Sequence, residues 1–239
     1  MRKYLIPIAS LLGFIFLLIS SFLFNTNTFN PNDINVIFSP ANYAFSIWGI
    51  IYILIGIFVL KGFLCKNDEC TMYKKILKFF IPCMIFTGLT ILVPIKVSPL
   101  FIIIALINSY LCYLTIDKSN VSKIFRLPFS FLMTWLLVAT ILDIQLVLKI
   151  FNKFNFTESQ EINIVIGILL LLSITVMIFS IIKNDLGVIL VTLWAIIAIG
   201  VNKFTLLPIL ILTSGLSLLL ILFLIFNSIR IFLKKNKRY

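Results

Sequence analysis

Histidine is missing from this 239-residue chain, and acids are few, eight against 20 lysines and arginines. Without an imidazole there is no His-ligated haem and no histidine general acid or base. The four cysteines, Cys65, Cys70, Cys83 and Cys112, are scattered. Cys65 and Cys70 flank a short charged loop with no partners at metal-ligand spacing, so no zinc or iron–sulfur site is expected. No nucleophile–base pair and no phosphate-binding glycine loop is visible either, and the chain is not expected to be an enzyme or to carry a cofactor. Tryptophan is rare, with only three residues.

What is present is apolar mass. At 62% hydrophobic and 12% charged, with a mean hydropathy of +1.18, the chain lacks the charge to cover a water-soluble globule. Long apolar runs bounded by short polar clusters recur throughout, without the alternating ten-residue segments of an outer-membrane barrel. The expected fold is all-α, a polytopic transmembrane helical bundle of about eight spans. The net charge of +12 does not argue for nucleic acid, because the basic residues lie in loops and in the tail, where membrane topology alone puts them.

The expected spans are Tyr4–Phe24, Tyr43–Leu64, Ile76–Ile95, Pro99–Ile116, Pro128–Phe151, Ile162–Ile182, Leu186–Val201 and Leu206–Phe232. Pro82 should kink the third and Pro94 end it, while Pro99 suits the first turn of the fourth. The seventh is at the short limit for crossing a bilayer. With the N-terminus inside, only Lys96, Lys149, Lys153 and Lys203 fall outside; the other sixteen basic residues lie on the inner side. Under the positive-inside rule both termini are cytoplasmic. Rich Ile, Lys, Asn and Phe usage points to a bacterial plasma (inner) membrane.

Asp143 is the one acid expected within a span. A carboxyl at such depth costs several kcal/mol unless paired, hydrated or protonated, which makes it a functional candidate, with interhelical hydrogen bonding as the alternative. No Lys or Arg lies at its depth, so a neutral partner is expected. Trp135, Ala139 and Asp143 recur every four residues and share one helical stripe. At ~1.5 Å per residue, Asp143, Tyr52 and Asn108 all lie ~12–13 Å below the outer ends of their spans. Phe38 to Gly56 adds Tyr43, Phe45, Trp48 and Tyr52 directly after a Pro-bearing loop, Asn25–Asn42. Aromatics at a helix entrance anchor the membrane interface; at this density they also suit a lidded pocket for a flat apolar ligand. Leu193-Trp194-Ala195-Ile196 echoes Trp48-Gly49-Ile50 too briefly to establish a repeat.

Pro40-Ala41-Asn42-Tyr43-Ala44-Phe45 followed by Trp48-x-x-x-Tyr52-x-x-x-Gly56 resembles the loop-to-second-helix motif of the TspO/MBR family, the tryptophan-rich sensory and translocator proteins. Trp135-Leu-Leu-Val-Ala139-Thr-Ile-Leu-Asp143 is similar to its fifth-helix motif, with Asp143 where the family has Asn. Tyr43 stands where Trp is usual, a single Pro40 replaces a Pro pair, and the interval from Phe45 to Trp48 is one residue shorter. The resemblance covers residues 1–150 and implies five helices with a pocket for porphyrins and other flat or lipidic ligands. Trp135, Ala139 and Asp143 would line that pocket and the Asn25–Asn42 loop would cover it. Residues 1–151 would form the TspO-like region and 152–239 a three-helix extension with a basic cytoplasmic tail; Asp185–Ala195 is similar to longer bacterial relatives that carry one.

The resulting expectation is a membrane protein that binds a tetrapyrrole or similar flat apolar ligand as a sensor or transport accessory. Its site would comprise Tyr43, Phe45, Trp48, Tyr52, Asn108, Trp135, Ala139 and Asp143, with no metal. The expected partners are the lipid bilayer and the apolar ligand, with homo-oligomerisation left open. The alternative is a small secondary transporter that couples protons or cations through Asp143.

Overall fold

A computed structural model describes residues 2–23, 36–151 and 156–236. The loop expected to act as a lid falls largely outside the described residues. Eight α-helices occur among those that are described: α1 (Arg2–Leu23), α2 (Ile47–Phe63), α3 (Asp68–Leu92), α4 (Ser98–Asp117), α5 (Leu127–Ile150), α6 (Glu158–Lys183), α7 (Gly187–Asn202) and α8 (Leu207–Asn236). There is no strand among the described residues. Seven of the eight are long and apolar enough to cross a membrane; the exception, α7, has 16 residues. The chain is therefore a polytopic helical membrane protein, since helices satisfy their backbone groups internally and lipid offers none of the hydrogen bonds that loops would need.

Local chemistry sets several boundaries differently from the apolar runs. The second apolar segment opens as a 3-10 turn, Asn42–Ser46, and becomes α-helical only at Ile47. Tyr43 and Phe45 therefore precede the helix that carries Trp48 and Tyr52. Helix α3 begins at Asp68, well before the apolar stretch, with Asp68 and Glu69 in its first turn, where carboxylates complement the helix dipole. Pro82 lies inside α3, which runs on to Leu92 without a break. Helix α6 starts at Glu158 because Thr157 and Gln160 form a reciprocal capping box, which satisfies two N-terminal amides. Its other end stops at Asn184 in the left-handed region, φ 49°, a conformation that asparagine tolerates better than most residues.

The helices group into two compact units: Met1–Asn30 with Ser46–Val147, and Pro31–Phe45 with Leu148–Tyr239. In the first, α1 packs on α3 at Gly88, where an added Cβ would lie 2.9 Å from both Phe16 and Ser20. A ring cluster forms the interior: Phe58 of α2 lies 4.8 Å from Tyr73, 5.9 Å from Phe80 and 5.1 Å from Phe129 of α5. The Tyr73 hydroxyl donates to the Phe58 carbonyl at 2.6 Å, fastening the end of α2 to the start of α3. Cys65 and Cys70, which the sequence left without a role, form a disulfide across the turn between them.

In the second unit, α7 and α8 meet at Gly200, whose Cβ position is 2.5 Å from the Thr213 hydroxyl. Helices α6 and α8 are joined where Asn227 Nδ2 donates to Ser180 Oγ at 2.7 Å.

Candidate functional site

On α2, Trp48 and Tyr52 are one turn apart and stack, with centroids 5.5 Å apart and an interplanar angle of 25°. The α2 residues Ile47, Ile51, Ile55 and Phe58 form a separate, buried stripe. The aromatic pair engages the end of α1. The Tyr52 hydroxyl donates to Ser21 Oγ at 2.7 Å, Ser21 donates to the Leu17 carbonyl at 2.8 Å, and Phe22 lies 6.0 Å from the Tyr52 ring. A phenol in lipid needs such a partner, and the serine supplies it without a charge.

On α5, Trp135 is buried at 1% exposure, so its ring belongs to the packed interior. Ala139 and Asp143, further along the same stripe, are partly exposed. The Asp143 carboxyl has a neutral partner, as expected: Ser98 Oγ donates to Oδ2 at 2.7 Å. That hydroxyl also lies 3.1 Å from the Ile95 carbonyl, within reach of its single proton. Among the described residues, Ser98 provides the one hydrogen bond that Asp143 receives. Its second oxygen has no hydrogen-bond partner among the described residues.

This pairing corrects the depth estimate. Ser98 is the first residue of α4, ten positions from Asn108 and hence about 15 Å along that helix. Asp143 therefore meets the end of α4 and is not level with Asn108. Equal distances from the helix ends do not make the two level, because α5 continues past the start of α4. Asn108 is occupied locally, its Nδ2 donating to the Ile104 carbonyl at 2.8 Å.

Tyr43 and Phe45 fall in the second unit. There the segment Val36–Pro40 is buried and its continuation is fastened to α7. Ala41 N donates to the Ala198 carbonyl at 2.9 Å, Asn202 Nδ2 to the Ser39 carbonyl at 2.8 Å, and Trp194 Nε1 to the Ala44 carbonyl at 2.9 Å. Tyr43 sits edge-on to Trp194 at 5.4 Å. The echo around Trp194 thus has a structural use as an indole clamp on the chain before α2. A groove of about 440 Å³ also lies on this unit, lined by Ile197, Gly200, Phe204, Leu210, Thr213 and Ser217.

The structure therefore brings Trp48 together with Tyr52, and Asp143 together with Ser98, within the first unit, while Tyr43 keeps company with Trp194. Sequence reasoning missed Ser98, since a serine before Pro99 reads as turn chemistry, and it missed the role of Trp194, whose partner carbonyl is 150 residues distant.

A multi-pass helical membrane protein with a carboxyl held inside a span by a hydroxyl is the class that these features define. A model of the TSPO-like protein family matches residues 7–227, and the chain belongs to that family. The match runs beyond the motifs of α2 and α5, through α6 and α7 and into α8. No curated protein and no solved structure matches the chain.

Proposed function

We propose that this TSPO-like protein binds a flat apolar ligand of the tetrapyrrole type, as a sensor or transport accessory in a bacterial plasma membrane. The observation that carries this reading is the Asp143 carboxyl, bonded at one oxygen by Ser98 and without a partner at the other among the described residues. A carboxyl in a span is costly to maintain for packing alone. Here no cation neutralises it among the contacts described, so a ligand donor can complete its shell. The stacked Trp48 and Tyr52 supply flat apolar surface of the kind that aromatic ligands favour.

Titration of purified protein with a porphyrin, followed by its visible absorbance band, tests the reading. Asp143→Ala and Trp48→Ala are each expected to weaken binding about tenfold, equivalent to ~1.4 kcal/mol. Unchanged affinity in both variants would remove the site.

The same carboxyl favours a second reading, a secondary transporter, because an acid bonded only to a hydroxyl can take up and release a proton without breaking an ion pair. Asp143→Asn separates the two. It abolishes pH-coupled transport in proteoliposomes on the transporter reading, and on the ligand reading it leaves porphyrin affinity within about twofold, equivalent to ~0.4 kcal/mol.

A further inference from the structure

The turn between α2 and α3 is closed by the Cys65–Cys70 disulfide, whose Cα atoms are 5.2 Å apart at a sequence separation of five. Neither cysteine is buried, whereas the free thiols of Cys83 and Cys112 are fully enclosed within α3 and α4. The turn has its own supports. Asn67 adopts a left-handed conformation at φ 44°, Glu69 N donates to the Lys66 carbonyl at 2.9 Å, and Lys66 N donates to the Glu69 carboxylate at 3.4 Å. One helical turn into α3, the Tyr73 hydroxyl ties back to α2 at the Phe58 carbonyl.

The two helices are thus held at this end without the cystine. A bridge across so short a loop also removes less freedom from the unfolded chain than one across a long loop. Stability is a weak reason for it.

Its surroundings suggest another. Lys61, Lys66, Lys74, Lys75 and Lys78 flank this turn in sequence, with Asp68 and Glu69 between the cysteines, and the positive-inside rule assigns the segment to the cytoplasm. In that compartment thiols are kept reduced, and the disulfides that occur there are mostly transient and catalytic or redox-sensing.

We propose that Cys65 and Cys70 form a thiol–disulfide exchange site cycled by cytosolic dithiols. A thiolate of the dithiol attacks one sulfur, the Cys65–Cys70 bond breaks, and the other cysteine leaves as thiolate. The second thiol of the reductant then attacks the mixed disulfide and frees the remaining cysteine. The protein gains two electrons and two protons, and the dithiol becomes a disulfide. Re-oxidation reverses these steps with a disulfide as electron acceptor. Because the turn keeps its backbone bonds, the two sulfurs stay close enough to pair again.

This inference is independent of the ligand reading. Its test is the redox state of the full-length protein in intact cells, acid-quenched, denatured and alkylated with a polymer-tagged maleimide. The four cysteines should all take up label in growing cells, two after treatment with the thiol oxidant diamide, and four again once it is removed. A membrane-impermeant maleimide should reach the reduced pair in inside-out vesicles and not in right-side-out ones. Two labels under every condition would mean a permanent staple, and four labels under diamide would mean the thiols never pair. Either result, or labelling from the outer side, overturns the proposal. Cys65→Ser and Cys70→Ser should each carry three labels whatever the treatment.

Discussion

Both units combine close packing with interhelical hydrogen bonds, but their interiors differ, with a ring cluster in the first and a buried amide between α6 and α8 in the second. At the centre of the first, helices meet through rings and close backbone approach: Phe58 against Tyr73, Phe80 and Phe129, and α1 against α3 over Gly88. In the second, α7 and α8 also approach closely at Gly200, and hydrogen bonds join the rest: Asn227 to Ser180, Trp194 to the Ala44 carbonyl, and Asn202 to the Ser39 carbonyl. Both are responses to one condition. In lipid, leaving the solvent gives an apolar side chain no hydrophobic gain, so association rests on tight packing or on polar bonds. The comparison teaches how to weigh a polar residue by its surroundings. In the second unit the buried Asn227 amide and the half-exposed Trp194 indole are fastenings, whereas in the first Asp143 receives, among the described residues, one hydrogen bond from a shared hydroxyl.

The sharpest way to break the first unit is to spoil its close approach. Gly88→Leu must displace Phe16 and Ser20 and should cost about 3 kcal/mol, the upper range for overpacking. Thermal unfolding in detergent should fall steeply, while Gly167→Leu, at a glycine with open space around it, should leave it unchanged.

The second unit should respond to loss of polar fastenings. Asn227 is fully buried, and its Oδ1 has no hydrogen-bond partner among the described residues. Asn227→Ala deprives Ser180 of a donor and should cost about 1 kcal/mol, as for interhelical bonds in membranes. Asn227→Leu should cost less, because it refills the volume and removes the orphaned oxygen as well. Equal losses in the two variants would show that the lost hydrogen bond, and not the vacated volume, sets the cost.

Trp194→Phe keeps a ring beside Tyr43 and deletes the bond to the Ala44 carbonyl. The expected loss is about 0.5–1 kcal/mol, read as amide exchange in residues 36–45 up to about fivefold faster.

The smallest expected effect is at Lys203, in the turn after α7. Burial, with the positive Lys149 nearby, holds its ammonium below the ordinary lysine value. Between that lowered value and the ordinary one, the unfolded chain binds more protons than the folded one, so stability should rise as pH increases through the window. Lys203→Met should flatten that slope in melting curves taken across alkaline pH.

Much of the fold was legible in the sequence because membrane crossing is a demand on each segment alone. Every span must hide its own backbone and present apolar side chains, and the Leu- and Ile-rich runs declare this without reference to neighbours. Helix ends were less legible. The early starts of α3 and α6 depend on Asp68, Glu69 and the Thr157–Gln160 box, polar residues that lie outside the apolar runs. Asp143 was legible as an exception, and its partner is the neutral Ser98 although Lys96 stands only two residues before it. That the partner is Ser98 was not legible, because depth along a helix says nothing about which helix stands alongside.

The sequence by itself determined that this chain spans a membrane with helices, that it offers no imidazole, and that α2 and α5 carry TspO-like motifs. Tertiary structure alone decided that Tyr43 belongs with Trp194, that Asp143 meets a hydroxyl at the end of α4, and that Cys65 pairs with Cys70. The physical reason is one of range. Hydropathy and capping act over a few residues and are written locally, whereas a hydrogen bond between residues 45 or 150 positions apart exists only once the packing of whole helices has set their rotation and offset.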